Sequence, residues 1–140
     1  MAVIEKLSDA DWQKVTDVEH WMVGVTAHHL ASALEPGTGI VSRIVSGHSR
    51  GNFTRATLDE MNARHAQEHA NCTKAKTIAL LKSSAAAAAA VVRGLHDDQL
   101  ATSGTVFTDA PPMTAEQLIT GGLLTHIDAH VGSIRKTVGT

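Results

Sequence analysis

Gly121-Gly122-Leu123-Leu124-Thr125-His126-Ile127-Asp128-Ala129-His130-Val131-Gly132-Ser133-Ile134-Arg135 sets two histidines four positions apart on an apolar background. On an α-helix such residues share one face, a turn apart, so both imidazoles address the same space. Two imidazoles at that spacing can hold one metal ion if a further ligand comes from elsewhere. The helix that carries them has a clear start: Thr114 as N-cap, Gln117 three residues on, and Met113 placed to pack on Leu118 as a hydrophobic staple. Ile119, Leu123, His126, His130 and Ile134 then form one stripe, which puts the histidines in line with core residues. Each buried imidazole needs its donor and acceptor satisfied, and a shared metal answers both demands. Gly121 and Gly122 weaken this helix. Gly122 lies one turn before His126, which leaves room for a ligand or allows close approach of another helix.

Upstream, residues 54–93 contain neither Gly nor Pro. That predicts one unusually long helix from Thr54 to about Leu95, with Leu58, Met61, His65, Cys72 and Ala79 on or near its dry side and Arg64, Gln67, Asn71 and Lys74 on its wet side. The run Ala85–Ala90 belongs to it as a strong helix former that lets backbones approach closely. Before it, Thr38 to about His48 reads as a shorter helix and 47–52 as a loop. A further helix runs from about Asp17 to Leu34, with Glu35-Pro36-Gly37 as its terminator. In that helix Met22, Val25, His29 and Ala33 form one stripe, and Trp21, Val25 and His28 an adjacent one, so one of the two neighbouring histidines faces inward more than the other. Residues 1–11 are a short lead-in with a capping box at Ser8 and Asp11.

The composition predicts a single domain over residues 1–140, long enough to bury a core. Alanine is abundant, and there are two Trp, two Phe and no Tyr, which favours close-packed helices over a sheet. A net charge of −2 with scattered basic residues predicts no nucleic-acid footprint and no attraction to an anionic membrane. The longest apolar run, Ala85–Val92, is too short to cross a bilayer. One cysteine and an early charged N-terminus point to the cytoplasm.

The other histidines divide. His20, His48 and His96 read as surface or singly bonded residues. His65 and His69 form a second pair four apart, with Cys72 one turn later. A metal there would gain a soft thiolate ligand, but a polar helix face with Cys72 as a small hydrophobe fits that stretch better. Glu19, Asp128 and His65 are the candidate acid–base groups.

Three stretches carry a resemblance. Trp21-Met22-Val23-Gly24-Val25-Thr26-Ala27-His28-His29-Leu30-Ala31 resembles the Trp-x-Val-x-x-x-x-x-His-Leu signature of DinB-like proteins. Asp59-Glu60-Met61-Asn62-Ala63-Arg64-His65-Ala66 resembles the start of their long helix, and His126 to Arg135 resembles their closing His-x-x-x-His helix. The resemblance covers the chain from about Leu7 onward and implies an all-α, DinB-like four-helix bundle. That superfamily includes mycothiol-dependent maleylpyruvate isomerase and bacillithiol transferases. Its members bind a divalent metal, commonly zinc or nickel, through one early histidine and the closing pair. Carried over, the ligands are His29, His126 and His130, with His28 as the fallback, and Gly122, His65 and Asn62 are candidate pocket residues.

The resemblance further implies a metal-dependent enzyme acting on a small molecule, a thiol-dependent S-transferase or isomerase using a low-molecular-weight thiol. Two other readings stand beside it: a hemerythrin-like metal- or oxygen-binding bundle, which would also need bridging carboxylates, and a non-catalytic structural or regulatory bundle. The chain departs from the family pattern at its start, where only six residues precede the Leu7-Ser8-Asp9-Ala10-Asp11-Trp12 segment. Either the short helix at 38–48 completes the bundle or a second subunit covers the apolar stripe that a shortened N-terminal helix would expose; a homodimer is expected.

Overall fold

The computed structural model describes residues 2–49 and 51–140. Met1, at the head of the lead-in, and Arg50, in the 47–52 loop, lie outside the described residues. The fold is mostly helical. Two short helices, α1 (Ala2–Lys6) and α2 (Asp9–Gln13), lead into the long α3 (Val23–Val45), followed by α4 (Arg55–Glu68), α5 (Lys74–Arg93) and the short α6 (Asp97–Leu100). Strands β1 (Ser103–Gly104) and β2 (Met113–Thr114) pair antiparallel, Ser103 opposite Thr114, and bring the chain to its C-terminal helical run. That run comprises α7 (Ala115–Gln117), a π-helical stretch Leu118–Leu124, and α8 (Thr125–Val138).

The helix α3 is the spine of the molecule, and α2, α4, α5 and α8 all pack against it. Its N-terminal half buries Val23, Ala27, Leu30, Ala31 and Leu34 with Ile4, Leu7, Trp12, Leu81, Ala88 and Ile134. Its C-terminal half buries Val41 and Ile44 with Val106, Ala115, Leu118 and Ile119. One helix thus serves two cores.

That division explains why Pro36 does not end the helix, contrary to the terminator expected from the sequence at Glu35-Pro36-Gly37. Pro36 lies inside α3, and residues 38–48 are largely its continuation. Proline in a helix interior costs about 3 kcal/mol. Burying Val41 and Ile44 fully, at 0% and 1% exposed, returns roughly 1.5–3 kcal/mol for each side chain. The Thr38 hydroxyl also donates to the Leu34 carbonyl (3.0 Å). Tertiary packing outweighs the local stop signal. The helix begins later than the periodicity implies, at Val23, because Val15 bridges to Met22 and residues 14–22 form a tight excursion.

The predicted helix from Thr54 to Leu95 is in fact two, broken at residues 69–73. No Gly or Pro makes the break. The Trp12 indole donates to the Cys72 carbonyl (3.2 Å), the Cys72 thiol donates to the Gly24 carbonyl (3.2 Å), and Lys74 Nζ donates to the Leu7 carbonyl. The Cys72 carbonyl released by the break is thus taken up by Trp12, while side chains at the break satisfy carbonyls far away in the chain. Gly24 makes room for this junction, since a Cβ there would collide with the Trp12 indole. The break also alters which side chains are dry: Met61 is 45% exposed, and Ala79 is exposed too. None of the α4 residues is fully buried.

With α3, α4, α5 and the C-terminal run, the chain supplies four long helical segments of its own; α1 is only five residues. The capping boxes at Ser8–Asp11 and Thr114–Gln117 are both formed. By length and composition α5 is apolar enough to cross a bilayer, a length the six-alanine run alone does not reach; here its Thr77, Leu81, Ser84 and Ala88 face is buried.

Candidate metal centre

The stripe read from the last helix crosses the π-helical stretch. Gly121 and Gly122 make an α-turn costly there, and the Thr125 amide and hydroxyl both donate to the Thr120 carbonyl five residues back, the hydroxyl at 3.0 Å. Beyond it, α8 resumes with His126 and His130 turned toward α3. A Cβ on Gly122 would meet only Leu118 of its own helix, at 3.0 Å. Neighbouring helices approach closely instead at Gly37, which faces Leu123.

His29, at 6% exposed, is the inward member of the α3 pair. One nitrogen each from His29, His126 and His130 lie within 4.8 Å of one another. The rings meet edge to face, His29 at 5.1 Å from both His126 and His130, and these two at 4.3 Å. Trp21 closes over His29 at 5.4 Å. His28 does not join this group and turns toward α4.

Glu19 orients the site. Its carboxylate accepts from His130 Nδ1 (2.7 Å) and from the Ser133 hydroxyl (2.6 Å). With Nδ1 donating, the lone pair of His130 lies on Nε2, the nitrogen left for a ligand. Burial pushes the Glu19 carboxyl up, but hydrogen bonds from Ser133, Thr16 and His130 together hold it below its ordinary value. The sequence marks Glu19 as an acid–base candidate; the structure gives it a positioning role, and Ser133, which no motif signals, shares it. Of the other acid–base candidates, Asp128 is exposed and His65 sits on α4.

The two remaining imidazoles are neutral at ordinary pH. Burial, then the charges of His126, His130 and His65, press His29 down to about 3, against a smaller opposite pull from Glu19. Burial, then His130, press His126 down to about 4. His126 Nε2 is buried and has no hydrogen-bond partner. An orphaned imidazole nitrogen beside two others is costly as a packing arrangement and suited to a cation. The residues therefore fit a divalent metal. Glu19→Gln should keep the three imidazoles but weaken zinc binding about 10–100-fold, read by competition with a chromophoric chelator; unchanged affinity would remove Glu19 from the site.

A second group adjoins the first. His28 Nδ1 lies 3.3 Å from His65 Nε2, the His28 and His69 rings stack at 4.0 Å, and one nitrogen from each of the three lies within 4.8 Å of the others. Burial, then His69 and His28, lower His65 to about 4. Cys72 is not in this group, since its thiol is held by Gly24. Asn62 is half-buried on α4, one turn before His65. A cleft of about 340 Å³, lined by Trp12, Met22, Gly24, Val25, Asn71 and Cys72 among others, opens at the α4–α5 break. It lies one turn of α3 before His28.

No curated protein matches the chain. The mycothiol maleylpyruvate isomerase N-terminal domain model matches residues 1–121 and stops short of the His126–His130 pair. The all-α bundle agrees with that match over most of the sequence, and the chain belongs to the mycothiol maleylpyruvate isomerase N-terminal domain family, within the DinB-like superfamily.

Proposed function

We propose that the protein is a metal-dependent enzyme of the DinB-like type, a thiol-dependent S-transferase or isomerase, with His29, His126 and His130 holding zinc or nickel. The observation that carries this reading is the buried, unpartnered Nε2 of His126 beside two further imidazoles. A divalent ion held by three imidazoles retains open positions and supplies Lewis acidity, which lowers the pKa of a thiol and polarises a carbonyl. Glu19 and Ser133 fix the His130 ring, and Trp21 covers His29 and limits water there. The hemerythrin-like reading is less well supported, because both clusters consist of histidines and the Glu19 carboxylate is engaged by His130 and Ser133. The family makes mycothiol the thiol to test. Nickel-loaded, untagged protein should develop new near-ultraviolet absorption on titration with mycothiol, and His126→Ala should not. No nickel or zinc affinity would leave only a structural bundle; metal binding without a thiol response would remove the thiol chemistry.

The homodimer belongs to the same proposal on different grounds from those in the sequence. The four long helical segments come from one chain, so no missing helix calls for a partner. A second copy would cover exposed apolar side chains such as Val18 at 69%, Val15 at 57%, Leu124 at 52% and Met61 at 45%. Sedimentation at micromolar concentration should give a dimer, and a monomer would end this part of the proposal.

A further inference from the structure

We infer that His28, His65 and His69 form a second divalent-metal site, which ties α4 to α3. An ordinary bundle helix docks through an apolar stripe. Here α4 lacks one: no residue in it is fully buried, and its Met61 is 45% exposed. What α4 presents to α3 instead is imidazole. His65 and His69, four apart, face His28 with ring centroids 5.1 and 4.0 Å away, and their own rings lie 4.5 Å apart.

All three residues are half-buried, so without a cation water must serve most of their ring nitrogens. Three neutral imidazoles carry three N–H donors and three lone pairs. The His28–His65 contact at 3.3 Å uses one of each, and the His69 ring makes ring contacts but no side-chain hydrogen bond among the described residues. A late first-row divalent cation, which favours imidazole nitrogen, would take one lone pair from each ring. Three protein ligands would leave a further position open to water or an anion. The site is separate from the first, since adjacent residues on α3 point to different clusters. It is also close to it, with the His29 and His65 rings 5.2 Å apart.

The test uses untagged, full-length protein, with zinc alone as the probe. Calorimetry and elemental analysis should find two equivalents of zinc per chain. His69→Gln should remove one equivalent and leave the other. His126→Ala should also remove one, but a different one. Hydrogen exchange distinguishes them: zinc should slow exchange across residues 55–69 in wild type and in His126→Ala, and not in His69→Gln. His28→Ala, changed on the other helix, should behave like His69→Gln. One equivalent in wild type that His126→Ala abolishes, or unaltered exchange in α4 at saturating zinc, would overturn the second site without touching the first. Loss of binding in His69→Gln alone, with His126→Ala silent, would overturn the first and keep the second.

Discussion

His126→Ala should cost the protein one equivalent of zinc, with no slower folding and no loss of helix content by circular dichroism. His126 is half-buried, and its Nε2 has no hydrogen-bond partner, so truncation leaves no other group stranded. The expected effect is therefore on the metal and hardly on the fold. His130→Ala should remove the same equivalent, with an added stability penalty because the Glu19 carboxylate then loses one of its partners in a half-buried place. His29→Ala should remove it too and leave a cavity under Trp21. Elemental analysis of purified, untagged variants reads all three. Retention of that equivalent in any of them would dissolve the three-histidine centre. Protons should begin to compete for His126 and His65 only as pH falls toward about 4, well below the range of a free imidazole, so zinc titrations at pH 7 and pH 5.5 should differ little through these ligands.

Acid should destabilise the metal-free protein earlier than its carboxylates can explain. The sign follows from where protons bind. In the unfolded chain His29 titrates near 6.5, and in the fold at about 3. Between those values the unfolded state holds more protons, so stability rises with pH and falls as pH drops from about 6.5. At pH 5 the loss from His29 alone is roughly 2 kcal/mol. His126 and His65, each lowered to about 4, act in the same direction with less weight because solvent reaches them. Glu19, whose carboxyl is lowered, gives stability that fades only as pH falls below the ordinary carboxylate range, so its effect comes later. Urea unfolding of chelator-treated protein should show the midpoint falling between pH 7 and 5; a flat midpoint there would contradict the buried, neutral imidazoles. Zinc at pH 7 should raise the unfolding free energy by about 2.7 kcal/mol per occupied site at a hundredfold excess over Kd, and the midpoint with it.

The site was more legible in the sequence than the helix boundaries were. Spacing aligned His126 with His130, and the stripes on α3 required one of His28 and His29 to turn inward. These are local geometric facts that survive most tertiary contexts. The breaks are different. Pro36 is a strong local signal overruled by burial of Val41 and Ile44, and residues 69–73 carry no breaker because the break is made by Trp12, Gly24 and Leu7. Long-range partners leave no periodic trace. The role of Glu19 is hidden for the same reason, since it meets His130 across 111 positions. The triad on α4 needed His28 from α3 as its third member, and within α4 alone the plainer reading of a polar face was reasonable.

The π-helical stretch bears on how this chain relates to its family. A π turn takes in one residue more than an α turn, so it behaves as an insertion that turns everything after it by about 100°. Removing one glycine from Gly121–Gly122 would undo that turn and swing His126 and His130 away from His29. The family match ends at 121, inside the same stretch. The swivel thus sets the rotation of α8 about its own axis, so that one helix can pack Ile134 into the core and still aim His126 and His130 at His29.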